Sequence, residues 1–229
     1  MRIQSIPDLH GKVVWKDLID LSCDKIIFLG DYVDDYPPTT DEQIVTNFLD
    51  VIQVKKDNPD KVELLLGNHD EMYYNNHHNC SGYRPSYAAA LNMIFTENKD
   101  LFKIAYQIDK HIWTHAGISE GWYKMFLEQV NVLPEGNIAE ELNGVFNSSD
   151  VDLITCVGYT RGGHTPYGGP LWADKSETFS HYYQALTSYH QIVGHSRVPH
   201  IIKREKGNSS ITYCDCLDST QTTLYTIEI

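Results

Sequence analysis

A run of apolar residues that ends in a glycine and a group of polar side chains constrains this chain most. Val62 and the three consecutive leucines at 64–66 predict a strand buried on both faces, because a half-exposed strand would alternate apolar and polar residues. Gly67 breaks this strand. The residues that follow carry an amide, an imidazole and two carboxylates, which are metal-binding and proton-transferring groups: Asn68, His69, Asp70 and Glu71.

The same succession of a strand-like segment and a polar turn occurs five times along the chain. The strand-like segments are 3–6, 25–29, 62–66, 112–114 and 191–193. Loops beyond the carboxyl ends of the strands in an α/β sheet share one rim, where ligands bind. We therefore expect eight polar side chains to converge there: Asp8, His10, Asp31, Asp34, Asn68, His69, His115 and His195. Carboxylates, imidazoles and an amide without a thiol suit manganese, iron, cobalt, nickel or zinc.

The alternation of strand-like and helical segments predicts an α/β fold with two stacked sheets flanked by helices. We predict one domain over 1–229 with a cap insert at 72–110, which is rich in polar, aromatic and turn-forming residues. Asp41 is expected to cap a helix whose apolar stripe includes Leu49. Predicted helices are 13–21, 41–54, 86–96, 121–130, 138–146 and 178–188; a hairpin is predicted at 105–108 and 111–114, and antiparallel strands of the second sheet at 201–204, 211–214 and 222–227.

Composition narrows the class of protein. The net charge of −13 argues against nonspecific nucleic-acid binding through a basic surface. No apolar run reaches the roughly 18 residues of a membrane span, and a strand starting near Met1 leaves no room for a signal peptide. The five cysteines follow no zinc-ribbon spacing, and strand alternation would bury Cys214 and Cys216 on one face. We expect a reducing, cytoplasmic setting.

As an ordered set, Asp-x-His, Gly-Asp-x-x-Asp, Gly-Asn-His-Asp, His-x-Gly and Gly-His resembles the calcineurin-like metallophosphoesterase superfamily. The resemblance runs from Asp8 to His195. It is closest to phosphoprotein-phosphatase-type serine/threonine phosphatases and related small bacterial and phage phosphoesterases. It implies a four-layer αββα sandwich with the metal site at the carboxyl-terminal rim of the strands.

The resemblance also implies two divalent metal ions, for which we expect manganese, with iron, zinc, nickel or cobalt as alternatives. A hydroxide bridging the two ions would attack phosphorus in line. His69 would be the general acid that protonates the leaving oxygen, oriented by Asp34. By the resemblance one ion takes Asp8, His10 and Asp31, and the other takes Asp31, Asn68, His115 and His195.

The chain departs from the pattern of these phosphatases at its arginines. Asp35 follows the Gly-Asp-x-x-Asp motif where such phosphatases commonly have an arginine, and Ala173-Asp174 stands where related bacterial enzymes have another. The candidates for binding phosphate are Arg161, in a glycine-rich loop, then Arg84 and Arg197; each could equally be a surface arginine in an ion pair.

Three functions remain open at this stage. The first is a phosphomonoesterase for small-molecule or peptide phosphates; the second is a phosphodiesterase or dinucleoside polyphosphate hydrolase. The third is a metal-binding scaffold that recognises a phosphorylated partner without turnover. Exposed tyrosines could stack a base or aryl group, although packing of the cap onto the body is the favoured interpretation, and the His77-His78 pair is expected in solvent. The sequence does not predict the oligomeric state or the substrate.

Overall fold

The computed structural model describes residues 1–75, 80–130, 137–180, 184–219 and 223–229. Within these residues, the first sheet has the strand order β10-β1-β2-β3-β4. Its strands are β1 (Arg2–Ile6), β2 (Lys25–Phe28), β3 (Val62–Leu65), β4 (Phe102–Lys103) and β10 (Tyr225–Glu228). β1 to β4 are parallel, whereas β10 pairs antiparallel with β1. Every residue of β3 is buried, as the leucine run predicts.

The second sheet has the order β5-β6-β7-β9-β8 over the same described residues. Its strands are β5 (Ala105–Ile108), β6 (His111–Thr114), β7 (His190–Val193), β8 (Ile202–Lys206) and β9 (Ser209–Tyr213). β6, β7 and β9 run parallel, and β5 and β8 close the two edges antiparallel. The predicted hairpin at 105–114 is therefore confirmed.

The two sheets stack face to face through a separate apolar cluster. Ile27 and Leu65 of the first sheet meet Trp113 and Ile192 of the second. The indole N–H of Trp113 donates to the Ser5 hydroxyl across the interface at 3.0 Å, which satisfies both buried polar groups. This stacking confirms the predicted α/β class of two mixed sheets flanked by helices.

Helices cover the outer faces of the stack. The capping box of α2 is formed by Thr40 and Gln43, so Thr40 is the N-cap and the expected cap Asp41 is the first helical residue. Leu49 of the predicted apolar stripe is 45% exposed, whereas Asn47 is buried and accepts the indole N–H of Trp15 at 3.0 Å. The helices are α1 (Trp15–Leu18), α2 (Asp41–Asp57), α3 (Asn68–Tyr74), α4 (Pro85–Glu97), α5 (Glu120–Val130), α6 (Ile138–Phe146), α7 (Asp152–Thr155) and α8 (Lys175–Thr178).

Three sequence predictions are wrong at the level of elements. The last strand, predicted for the second sheet, is β10 at the edge of the first. The predicted helix at 178–188 does not form in its described residues: α8 ends at Thr178, and Gln184 and Leu186 form backbone hydrogen bonds with Glu120 and Ile118. Residues 181–183 lie outside the described part of the chain. The predicted helix at 13–21 shrinks to α1.

Cys214 and Cys216 are buried as expected, but they follow β9 and pack in different apolar clusters, so they do not share one strand face.

The predicted cap insert divides between the body and the rim. Leu91 and Phe95 of α4 belong to the main core, and β4 pairs with β3 in the first sheet. Around Cys80–Gly82 the chain borders the cavity over the rim. The division into one domain with a cap remains a prediction, and His77 and His78 lie outside the described residues. Among the described residues, no helix combines the length and apolarity needed to cross a membrane.

Candidate metal centre

Four side-chain atoms from loops of both sheets converge at the rim. Asn68 Oδ1 lies 2.9 Å from both His115 Nε2 and His195 Nδ1. His115 Nε2 lies 3.1 Å from His195 Nδ1 and 3.4 Å from Asp31 Oδ2. Ligands of one ion at about 2.1 Å are separated from one another by about 3.0–3.4 Å in octahedral or tetrahedral geometry. The donor atoms are therefore spaced as ligands of a single ion.

Asp31 also belongs to a second group of donors. Its Oδ2 lies 3.7 Å from His10 Nε2. The ligand atoms of His10, Asp31 and His69 all lie within 4.8 Å of one another, as do those of Asp31, His115 and His195. A carboxylate shared by two groups of donors is the arrangement that bridges two ions.

Asp8 reaches this centre in a different way. Both of its carboxylate oxygens accept the backbone N–H of His195, at 2.9 and 3.0 Å. It is buried and interacts electrostatically with His115, Asp31 and His10. The second group of donors thus includes His69 where the resemblance would put Asp8.

The imidazoles are oriented by backbone carbonyls. The Nδ1 of His115 bonds to the carbonyl of Leu29 at 2.8 Å, and the Nδ1 of His10 bonds to the carbonyl of Asp34 at 2.8 Å. With these protons on Nδ1, the neutral rings present the lone pair of Nε2 to the centre. Such an outer bond selects the tautomer of metal-binding histidines.

The loops hold residues in sparsely populated backbone conformations. His10, Asp31, Asp34 and His195 have φ of 45°, 52°, 64° and 59°. Non-glycine residues rarely adopt positive φ, and such strain concentrates at functional sites. The strain supports a functional interpretation of these four positions.

Asp70 is not among the eight side chains that the sequence predicts to converge, although it joins two of the loops. Its carboxylate accepts backbone N–H groups of Asp31 at 2.7 Å, Tyr32 at 2.9 Å and Gly67 at 2.9 Å. Burial and the charge of Asp31 raise its pKa to about 7, against the effect of these N–H donors. Its position three residues after the N-cap Gly67 of α3 is the signal that could have identified it.

The electrostatics of the centre favour a bound cation. Although burial opposes its ionisation, the charges of His115 and His69 hold the pKa of Asp31 well below its usual range. Against the effect of burial, Asp31 and Asp8 raise the pKa of His115 to about 10. Burial and the charge of His115 lower the pKa of His195 well below normal. A bound cation would interact favourably with the same carboxylates and would compete with a proton for His115.

His69, which belongs to the second group of donors, also pairs with Asp34. Its Nδ1 is 3.1 Å from Asp34 Oδ2, and the backbone N–H of His69 donates to Asp31 Oδ1 at 2.9 Å. Burial lowers the pKa of His69, but Asp31 and Asp34 outweigh burial and raise it. An imidazole held on one side by a carboxylate can transfer a proton from its other nitrogen.

The candidate arginines occupy different places. Arg161 borders the cavity; its Nε pairs with Asp174 at 2.9 Å and its Nη2 donates to the Ser196 hydroxyl at 3.1 Å. Arg197 also borders the cavity but is largely exposed, 3.6 Å from Asp218.

Arg84 stabilises the loop after Asp34. Its guanidinium pairs with Asp41 at 2.7 Å and donates to the carbonyls of Thr39 and Asp35. The carboxylate of Asp35 accepts the Tyr36 N–H and the Thr39 hydroxyl, so it is directed into its own loop. The structure therefore does not bring Arg84 together with Arg161 and Arg197.

An open cavity of about 710 Å³ lies over the donors. Trp172 and Asp215 line it, and the sequence had not singled out either residue. Burial and the charge of Asp8 raise the pKa of Asp215 to about 8. A neighbouring cavity of about 550 Å³ is lined in part by the same Arg161 and Trp172.

Comparison with known proteins shows the fold and the family of this chain. No match was found among curated protein sequences. A cold-active protein-tyrosine phosphatase of a psychrophilic Shewanella species has a similar structure at 16% identity and a TM-score of 0.61, over 99% of this chain and 75% of that one. A protein serine/threonine phosphatase from Saccharomyces cerevisiae is similar at 16% identity and a TM-score of 0.57, over 96% and 69% of the two chains. The sequence model of the calcineurin-like phosphoesterases matches residues 2–199, and the chain belongs to this family.

Proposed function

We propose that this protein is a phosphomonoesterase that depends on two divalent metal ions and acts on small-molecule or peptide phosphates. The observation that carries the proposal is that Asp31 belongs to both groups of donors. In addition, His69 of the second group pairs with Asp34. The first ion would be held by Asp31, Asn68, His115 and His195, whose donor atoms are spaced as ligands of one ion. By the family resemblance, the second would be held by Asp31, His10 and Asp8, which leaves His69, the remaining member of the second group, to transfer a proton.

The bound ions would supply an activated water and neutralise charge on the phosphoryl group. The chain's own residues would do the rest. Arg161, fixed by Asp174 and Ser196, would bind a phosphate oxygen. His69 would give the proton on Nε2 to the leaving oxygen as the bond to phosphorus breaks, while Asp34 retains its bond to Nδ1. Manganese and a cytoplasmic location remain predictions.

Binding and turnover can be tested separately. Metal-free protein would be titrated with Mn²⁺, and bound metal measured by calorimetry and elemental analysis, for the parent, Asp31→Asn and His69→Ala. Because Asp31 is shared, we expect Asp31→Asn to lose at least one ion and turnover of aryl phosphate. His69→Ala should retain turnover of substrates with good leaving groups and lose about 10²–10⁴-fold on poor ones. Full metal content without turnover in the parent would contradict the proposal.

The second cavity favours a second candidate, hydrolysis of a phosphodiester. Its shared boundary at Arg161 and Trp172 would allow a substrate to extend beyond the metal centre. If this function is correct, diesters should be preferred, and Arg161→Ala should affect diester turnover little. A metal-binding scaffold without turnover is less well supported, because the pairing of His69 with Asp34 is not needed to hold metal.

A further inference from the structure

The carboxylate of Asp34 has a different set of partners on each of its oxygens. Oδ2 lies 3.1 Å from Nδ1 of His69. Oδ1 accepts the hydroxyl of Tyr73 at 2.5 Å and the hydroxyl of Tyr87 at 2.9 Å. Asp34 is 2% exposed, and its φ of 64° places it in a rarely populated conformation. The tyrosines therefore occupy one oxygen and leave the other directed at the imidazole.

The two tyrosines come from separate helices and are themselves held in place. Tyr73 lies at the end of α3 and Tyr87 near the start of α4, and both are buried. The ring of Tyr73 stacks on Tyr83 with centroids 5.2 Å apart, and its hydroxyl oxygen accepts the backbone N–H of Arg84 at 3.2 Å. The guanidinium of Arg84 donates to the carbonyl of Asp35, next to Asp34. The packing of α3 and α4 thus fixes the two tyrosine hydroxyls, and these hydroxyls orient the carboxylate of Asp34.

We propose that Tyr73 and Tyr87 are positioning residues that act through Asp34 on the proton-transfer geometry of His69. The inference rests on the proposed function of His69. The hydroxyls hold Oδ1 so that Oδ2 keeps the Nδ1–H bond of His69. During turnover the Nε2 proton of the His69 imidazolium moves to the leaving oxygen, which takes the electron pair of the broken P–O bond, and the ring becomes neutral with its Nδ1–H still bonded to Asp34.

The alternative is that buried tyrosine hydroxyls merely find an acceptor, as most buried polar groups do. If the hydroxyls have only this structural role, the effect of removing them on turnover should not depend on the leaving group. A positioning role is needed only when the leaving oxygen requires a proton, so the two roles differ with a series of aryl phosphates.

The experiment compares Tyr73→Phe, Tyr87→Phe and the double variant with the parent on phenyl, 4-nitrophenyl and 2,4-dinitrophenyl phosphate. We expect the double variant to lose about 10–100-fold in kcat on phenyl phosphate, a part of what general acid catalysis contributes. Turnover of 2,4-dinitrophenyl phosphate should change by less than about threefold, because its leaving group needs no proton. Equal losses on all three substrates, or no loss on any, would overturn the inference.

Tyr123→Phe is the matched control. The hydroxyl of Tyr123 also donates to a carboxylate, Glu141, at 3.1 Å, but Tyr123 lies on α5 and does not line the cavity over the donors. This variant should match the parent on every substrate. Bound Mn²⁺ is measured in each protein, so that a loss of metal is not taken for a loss of proton transfer.

A readout without turnover separates this inference from the proposed function. Imidazole ¹⁵N–¹H spectra of the metal-free full-length protein should show a downfield Nδ1–H of His69, assigned by its absence in His69→Ala. We expect this signal to be lost or shifted upfield in the double variant and retained in Tyr123→Phe. An unchanged signal in the double variant would overturn the inference. Absence of turnover in the metal-loaded parent would instead refute the proposed function.

Discussion

At the residue scale, the candidate site depends on two glycine positions that have no room for a Cβ atom. A Cβ added at Gly194 would lie 2.1 Å from Asp8 Oδ1, and one at Gly67 would lie 2.1 Å from Asp31 Oδ1. Both glycines therefore allow a carboxylate of the centre to approach the backbone. The carboxylate of Asp8 in turn accepts the N–H of His195.

Gly194→Ala should consequently disturb the metal centre. The new methyl group must displace Asp8, so we expect weaker Mn²⁺ binding and a loss of about 1–3 kcal/mol in the free energy of unfolding from overpacking. Calorimetric titration and urea denaturation measure the two effects.

The matched control is Gly144→Ala in α6, where an added Cβ meets no atom within 4 Å. It should stabilise the protein by up to about 1 kcal/mol through helix propensity and leave metal binding unchanged. If Gly194→Ala binds Mn²⁺ with the affinity of the parent, the observed position of Asp8 is not required for metal binding.

At the scale of elements, β3 contributes a buried charge cluster to the first sheet as well as apolar side chains. Glu63 in this strand is 5% exposed and lies 3.0 Å from Lys103, 3.2 Å from Lys25 and 3.5 Å from Lys55. Burial raises the pKa of Glu63, but the lysines outweigh burial and lower it. Lys103 and Lys25 belong to the flanking strands β4 and β2, so this cluster links neighbouring strands.

Glu63→Gln tests this cluster through pH. A carboxyl with a lowered folded-state pKa stabilises the fold above its unfolded pKa, and this contribution disappears as pH falls through the folded value. We expect the variant to lose about 1–3 kcal/mol at pH 7. The difference from the parent should shrink as pH falls below about 4, as measured by urea denaturation of metal-free protein.

The exposed pair of Glu205 and Lys203, 2.6 Å apart, provides the control. Glu205→Gln should leave stability at pH 7 unchanged within error, because exposed ion pairs contribute little. A constant difference between Glu63→Gln and the parent across pH would exclude the charge of Glu63 as the cause.

At the scale of the whole molecule, the candidate centre joins the two sheets. Asp31 and Asn68 follow β2 and β3 of the first sheet, whereas His115 and His195 follow β6 and β7 of the second. An ion held by these residues would stabilise the folded stack, since its ligands are not assembled in the unfolded chain.

Metal should therefore raise the stability of the whole chain. At free Mn²⁺ of about 100 times Kd, one bound ion should add about 2.7 kcal/mol and raise Tm. Thermal unfolding with and without a chelator measures the effect, and His115→Ala should abolish most of it.

His111→Ala is the control, because the His111 ring contacts that of His190, with centroids 5.0 Å apart and a tilt of 34°, and His111 is in neither group of donors. Its Tm should respond to Mn²⁺ as the parent does. A Tm of the parent that is independent of Mn²⁺ would contradict a metal centre between the sheets.

The sequence alone determined the α/β class and the convergence of the rim residues. Both follow from local patterns, because a buried strand reads as an apolar run and the parallel strands of a sheet end at a common edge. His115 Nε2 lies 2.9–3.4 Å from side-chain atoms of Asn68, His195 and Asp31, and the role of all four residues as metal ligands stays a prediction. The element types at 105–114 and 138–146 were also predictable.

Only the tertiary structure decided which polar groups pair. Nothing local shows that Asp70 accepts N–H groups of Asp31 and Tyr32, or that Tyr73 and Tyr87 meet Asp34, because these partners lie 38 to 53 positions apart. The same reason explains β10. Its local pattern predicts a strand, but its pairing with β1 depends on the path of the chain before it. Side-chain type is a local property, whereas the partner that satisfies a buried donor or acceptor is set by packing.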